Sequence, residues 1–392
     1  MMKPVYVVDY LVKDCIGVNV QDNFLTMPNT PGATEPLRYN IDEAPNVLCK
    51  KGFHMSYVEK DYTTYKLTVD LCNDLIDKYP IGEIIPKDSA VIFGSFTSAS
   101  KVRDEFVAAY NSGVTRYSPT RLFQGNHDLL SSLVAGKLKL EGINTSLNGA
   151  CTSSMFNLHF AVMLIQTGQT SAAIVGNADM PIEAKMQYHW QCTSAISTLN
   201  GGSCAPFDKK RDGFLQGEGG TIWFICDEET LIKNNLTPKA RIRAISSGAK
   251  VTSITAHDKT CENQLKIINQ ALAQSQLTRN DISFFNAHAT STLIGDDIEI
   301  DVFQKAFTDV DIPIVAFKGY IGHTMSACGL IESAYGLEAV KNGFVQGNYN
   351  LTEPLSDDPR IITRQTNLNS KIFMKASFGF GGRTNISIFE SL

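Results

Sequence analysis

Apolar residues fall into two alternating rhythms along this chain of 392 residues. Short runs rich in Val, Ile, Phe and Trp at 5–10, 90–93, 171–175 and 220–226 have the length and composition of strands. The longer patterns at 62–78, 126–139, 152–167 and 262–276 are helical. Strands alternating with helices predict an α/β architecture of layered helices and mainly parallel strands. Past Glu228 the pattern restarts: strands at 241–246 and 282–285, helices at 297–307 and 327–342, and a closing strand pair at 371–380 and 384–389. No repeat in residue identity is visible across that division. The helix at 152–167 is apolar on every side, which predicts burial, and Gly168 stops it.

Composition narrows the function classes. With 43% hydrophobic and 19% charged residues the chain can bury a large core. Its net charge is −5 and it has no long basic run, so a nucleic-acid partner is not expected. Nine scattered cysteines form no CxxC pair, which argues against a structural zinc site and a disulfide scaffold and fits a reducing cytoplasm. The first residues, MMKPVYVVDYLVKDC, are broken by Asp9 and Lys13 and read as a first strand, not a signal peptide. No apolar run is long enough to span a membrane.

Candidate chemistry centres on Cys151, in SLNGACTSSMFNLHFAVMLIQTG. A polar strand passes through Gly149 and Ala150 into the long apolar helix, placing the thiol at a helix N-terminus. Unpaired N–H groups and the helix dipole there favour a thiolate, hence a nucleophile. A free cysteine taken alone is more often a small buried hydrophobe. His159, on the same helix, reads as a hydrogen-bonded core or pocket histidine. The glycines from Gly379 to Gly382 lack the GxGxxG spacing and following helix of a dinucleotide loop.

Further segments accompany Cys151 in order: Asn286-Ala287-His288-Ala289-Thr290-Ser291-Thr292; Lys318-Gly319-Tyr320-Ile321-Gly322-His323, with Glu332 beyond; and Ser377-Phe378-Gly379-Phe380-Gly381-Gly382. Pro206-Phe207-Asp208, Arg211-Asp212-Gly213-Phe214 and Gly217-Glu218-Gly219 lie between. Together, from about Val91 onward, the chain resembles the β-ketoacyl-carrier-protein synthases, the condensing enzymes of fatty-acid and polyketide assembly. That resemblance implies a thiolase-like five-layer α/β/α/β/α sandwich made of two similar βα halves, here residues 1–228 and 229–392.

It also implies the reaction: an acyl group loaded on Cys151, decarboxylation of malonyl-carrier, and condensation of the two. His288 and His323 would donate Nε2–H bonds to the enolate. Lys318 would join them, paired with Glu332 and setting local charge rather than moving protons. The backbone N–H groups of Cys151 and Phe380 would form an oxyanion hole, with Gly379 and Gly381 freeing the loop to gate the pocket and Thr290 and Thr292 in support. The Pro206 to Glu218 tract would brace the site. No cofactor or metal is implied. The partners implied are acyl- and malonyl-loaded acyl carrier protein, and a second subunit in a homodimer or in a heterodimer with a chain-length-factor-like chain. The strand at 144–149 would pair across that interface.

Departures point to a specialised type II polyketide, polyene or fatty-acid pathway. Ala289 replaces a glycine, and Arg383 is inserted after Gly382. In Gly94-Ser95-Phe96-Thr97-Ser98 the bulky Phe96 stands at the acyl pocket. Residues 55–60 align loosely with a family helix that docks carrier protein, yet are far less basic, leaving Lys209 and Lys210 as docking candidates. Alternatives are a ketosynthase-like acyltransferase without decarboxylation, disfavoured by the two histidines, and a non-catalytic chain-length partner, disfavoured by Cys151. A thiolase would need a second cysteine near the glycine loop, and Cys328 lies well before it.

Overall fold

The computed structural model describes residues 3–32, 34–37, 46–59, 62–119, 121, 126, 129–180, 182–198, 203–253 and 258–392. Among them, ten strands form one hydrogen-bonded sheet: β1 Val5–Asp14, β2 Ala90–Gly94, β3 Asn144–Thr145, β4 Ala172–Asp179, β5 Gly219–Asp227, β6 Ala240–Ala249, β7 Phe285–Asn286, β8 Ile314–Val315, β9 Ile372–Gly379 and β10 Arg383–Ser391. Their order is β8-β7-β9-β10-β6-β1-β5-β4-β2-β3. Outward from the central β1–β6 pair, each side runs through its first, fifth, fourth, second and third strand. The two sides join antiparallel through Val5↔Ile242, Tyr6↔Arg241 and Val7↔Ala240. The duplication invisible in residue identity is thus explicit in topology.

Strand direction departs from the sequence expectation. Parallel pairing is confined to β3-β2-β4 and β8-β7-β9, whereas β5 and β10 run antiparallel to both neighbours. For β10 the cause is local: only Phe380, Gly381 and Gly382 separate it from β9, and so short a link makes a hairpin, not a crossover.

Alternation along the strands sorts their side chains into layers. Among the described residues the buried apolar side chains form three clusters. Val91 and Phe93 of β2 face α1 (Thr64–Lys78) and α2 (Leu129–Leu138). Ala90 and Ile92 face inward, onto α3 (Ser153–Gln166) and α6 (Cys328–Asn342). In the second half Phe373 faces inward, while Met374 and Ala376 face α4 (Glu262–Ser275) and α5 (Leu293–Ala306). The result is a five-layer α/β/α/β/α sandwich with α3 and α6 as its middle layer. All residues of α6 from Cys328 to Val340 are buried, because both of its faces meet protein.

One local expectation changes. Residues 55–59 form a turn, not a helix, because His54 and the Met55 N–H are held by the buried Glu218 carboxylate at 3.1 and 2.9 Å. Lys60 lies outside the described residues, as do residues 127 and 128 of the helix expected at 126–139.

Candidate active site

Cys151 occupies a single 3-10 turn, Ala150–Thr152, between β3 and α3. Ala150 has φ 54°, a left-handed conformation uncommon without glycine, and so bends the chain sharply before the thiol. Hydroxyls satisfy the backbone of this elbow: Thr152 Oγ1 donates to the Gly149 carbonyl at 2.6 Å and Ser153 Oγ to that of Ala150 at 2.6 Å. The Cys-Thr-Ser-Ser run therefore builds the turn as well as supplying the nucleophile.

Three loops from the second half converge on this elbow. His323, after Gly322 at φ 69°, places Nε2 at 3.0 Å from Cys151 Sγ. The His288 ring lies 5.6 Å from His323, nearly perpendicular. Its backbone N–H donates to Glu299 Oε1 at 2.7 Å, and that of Ala289 to Oε2 at 2.6 Å. Lys318 Nζ reaches His288 Nδ1 at 3.3 Å and Glu332 Oε1 at 2.5 Å. An ammonium has no acceptor to offer, so it donates to Nδ1 and leaves the proton of a neutral ring on Nε2.

Burial governs the electrostatics. It pushes the Cys151 thiol up to about 12, with Lys318 opposing. It also pulls His323 well below its ordinary value, aided by Lys318 and Lys375. These two directions favour a thiol hydrogen-bonded to a neutral imidazole over the thiolate expected from the helix terminus. Desolvation is the largest influence on the thiol, which is carried on a 3-10 turn ahead of α3. Burial is the largest single influence on Lys318 and lowers it, but Glu332, Cys328 and Glu299 together outweigh it and hold the ammonium above its ordinary value. Donor atoms of Cys151, His288 and His323 lie within 4.8 Å of one another, but the Lys318 ammonium on His288 opposes a dication there.

A cavity of about 60 Å³, room for a few waters, is lined by Cys151, His288, His323, Thr290, Thr292 and Phe380, among others. Thr290 and Thr292 share a hydroxyl bond at 3.0 Å. Gly379 lies against the elbow: a Cβ there would sit 3.0 Å from the Gly149 carbonyl oxygen. Gly381, at φ 80°, turns the loop rather than lining the cavity. Phe96 does not line it either. It packs behind Trp190 at 5.6 Å, and Trp190 stacks on Phe380 at 6.2 Å to form the wall. The inserted Arg383 donates from Nη1 to the Phe380 carbonyl at 3.0 Å. Lys318 and Glu332 are fully buried behind His288. Cys328, set aside on sequence distance, is brought beside the nucleophile, its Sγ donating to the Cys151 carbonyl at 3.3 Å, but it is buried and does not line the cavity.

Other placements match their readings. His159 Nδ1 is hydrogen-bonded to Ser247 Oγ at 2.8 Å. In the expected brace, Asp208 accepts from the Glu353 N–H at 2.8 Å, and Arg211 bonds the Thr292 carbonyl at 3.2 Å and Asp297 at 2.8 Å. Sequence reasoning missed Trp190, Glu299, Asp179 and Lys375. Asp179 ties Ser95, Phe96 and Thr97 to the Ser326 backbone. Its signal was an acid closing the apolar run AAIVGNAD. Lys375 is a lone cation within IFMKASFG, a strand otherwise apolar or small.

All nine cysteines are free, and among the described residues no helix is long and apolar enough to cross a membrane. The chain matches the family models for the β-ketoacyl synthase N-terminal domain over residues 78–230 and C-terminal domain over residues 240–352. It is 27% identical over 306 residues to the chloroplastic 3-oxoacyl-[acyl-carrier-protein] synthase II of Arabidopsis thaliana, covering 76% of this chain and 57% of that one. The chain thus spans little more than half the length of that relative. A solved β-ketoacyl synthase from Burkholderia phymatum superposes over 100% of both chains with a TM-score of 0.90 at 22% identity. The ketosynthase of a type II polyketide synthase, solved with its acyl-carrier protein and bound to the hexaketide, superposes over 100% of both with a TM-score of 0.88 at 18% identity. With both family domains matched in order and the thiolase-like sandwich in place, this chain belongs to the β-ketoacyl synthase family.

Proposed function

We propose that this chain is a β-ketoacyl-carrier-protein synthase joining a Cys151-bound acyl group to malonyl-carrier with loss of CO₂. The observation that carries it is the 3.0 Å approach of His323 Nε2 to Cys151 Sγ, with His288 completing a pair of imidazoles around the thiol. In the first half-reaction the thiol attacks the carrier thioester. Its proton passes to His323 Nε2 and on to the departing carrier thiolate, leaving an acyl-enzyme. In the second, malonyl-carrier loses CO₂. The enolate oxygen takes a hydrogen bond from His288 Nε2–H, and one from His323 once its ring, no longer accepting from the thiol, has moved its proton from Nδ1 to Nε2; the carbanion attacks the acyl carbonyl. The N–H groups of Cys151 and Phe380 receive that oxyanion, and its collapse expels the Cys151 thiolate, which takes the proton it needs from solvent water.

Lys318 acts through His288, keeping its proton on Nε2, and Glu332 keeps Lys318 charged. The cavity holds only a few waters, so the Phe380 loop must swing from Trp190 to admit a chain. Residues 1–228 and 229–392 are the proposed halves, one carrying the nucleophile and the other the histidines. Acyl carrier protein is the proposed donor and acceptor. The short edge strand β3 is the proposed pairing edge for a second subunit, either this chain or a chain-length partner. A specialised polyketide, polyene or fatty-acid pathway in a reducing, cytoplasmic setting fits the departures and the free cysteines.

The test is intact-protein mass spectrometry of wild type and Cys151→Ala mixed with acyl-carrier and then malonyl-carrier. An acyl adduct on wild type alone, followed by a carrier product longer by two carbons, is expected. No adduct with any acyl donor would overturn the assignment.

A further inference from the structure

The proposed chemistry leaves unused a second fully buried cation, Lys375 of β9. Its Nζ lies 2.5 Å from Glu332 Oε2, 2.9 Å from the Ala287 carbonyl and 3.3 Å from Asn286 Oδ1. Glu332 gives its other oxygen to Lys318, so one buried carboxylate serves two ammonium groups. We propose that Lys375 is a positioning residue which leaves this cluster with a surplus positive charge behind His288, favouring anions at Cys151 and at the reacting oxygen. This builds on the condensing-enzyme reading and names what tunes its site.

The surrounding charges are few. Lys375 faces Glu332 and Cys328 of α6, Lys318 of the short helix Lys318–Ile321, and Glu299 of α5. Cys151 is faced by His323, Lys318, Asp179, Glu332 and Cys328. Glu299 is the acid that could cancel the surplus; burial pushes it up to about 7 despite its bonds from the His288 and Ala289 N–H groups, so the surplus is full below that value and shrinks above it, while the loss of the Lys375 charge is felt on either side. The field of Lys375 reaches both His323 and Cys328, two side chains hydrogen-bonded to Cys151. Burial lowers Lys375 itself, with Glu332 opposing, so its contribution is strongest below the ordinary lysine range.

Lys375→Met and Lys375→Gln test this without invoking condensation. Each leaves Glu332 paired with Lys318, so no charge is orphaned, and Gln retains a donor for the Ala287 carbonyl. Below the thiol pKa, the iodoacetamide rate at Cys151 follows the thiolate fraction. A unit charge ~10 Å away at an effective dielectric of ~20 is worth about one pH unit. Near pH 8 both variants should therefore alkylate about tenfold more slowly than wild type. The ratio of iodoacetate to iodoacetamide rates, which cancels changes in access, should also fall in both. A wild-type ratio in either folded variant would overturn the proposal, and a wild-type Gln variant would make Lys375 a hydrogen-bond brace. If malonyl-carrier is not decarboxylated by wild type, the condensing reading fails, yet the alkylation ratio still decides Lys375.

Discussion

Replacing Glu332 by Gln would leave two buried ammonium groups without a counter-ion. The carboxylate sits 2.5 Å from Lys318 Nζ and 2.5 Å from Lys375 Nζ, and all three side chains are inaccessible to solvent. Removing one partner of a buried ion pair costs about 3–5 kcal/mol. An unfolding entropy of about 2.1 cal/mol/K per residue gives about 0.8 kcal/mol/K for 392 residues, so Tm near pH 7 should fall by about 4–6 °C. The loss depends on pH, and its sign follows from the lysines. Burial and repulsion by Lys318 already lower Lys375, and Glu332 is the main influence opposing them. The folded variant then binds fewer protons than the unfolded chain between the depressed value and the unfolded value of about 10.4. Its stability consequently rises with pH across that window. Thermal unfolding of Glu332→Gln and wild type near pH 7 and near pH 9.5 should show the gap narrowing. A variant as stable as wild type near pH 7, or a gap that widens with pH, would refute the account of Glu332 as shared counter-ion.

Other substitutions probe the remaining parts. Burial holds the Cys151 thiol at about 12, so alkylation by iodoacetamide should rise about tenfold per pH unit from about pH 6 to 9; a plateau would reveal a resting thiolate–imidazolium pair. Gly379→Ala would push a methyl to 3.0 Å from the Gly149 oxygen and 3.2 Å from Thr152 Cγ2. It should lose about 1–3 kcal/mol in denaturant titration and acylate more slowly; a neutral result would mean the loop does not rest on the elbow. Arg383→Ala removes the bond to the Phe380 carbonyl. It should admit a bulky maleimide to Cys151 several-fold faster than wild type, read by mass; an unchanged rate would show that Arg383 does not restrain the loop.

Much of the architecture was legible in the one-dimensional pattern. Two-period alternation located the long strands and the two middle-layer helices, because a helix apolar on all sides has nowhere stable but between layers. Cys151, His288, Lys318, His323, Glu332 and the Phe380 loop were named by the resemblance of their ordered motifs to those of the β-ketoacyl synthases; taken singly, each histidine would have read as structural. What tertiary structure decided is how those residues meet and how they are charged. Cys151 and His323 are 172 positions apart yet 3.0 Å apart in space, a distance set by the packing of two halves. The thiol's protonation followed desolvation, a property of surrounding layers that helix position alone could not report. Lys375 read as one polar residue in a strand, and only the approach of α6 to β9 made it the second cation on Glu332. Phe96 looked like a pocket residue until Trp190, from a helix 94 positions later in sequence, came between it and the cavity. Local pattern determined the elements and ordered motifs the candidate groups, while burial and long-range pairing, which depend on every layer at once, determined how those groups meet.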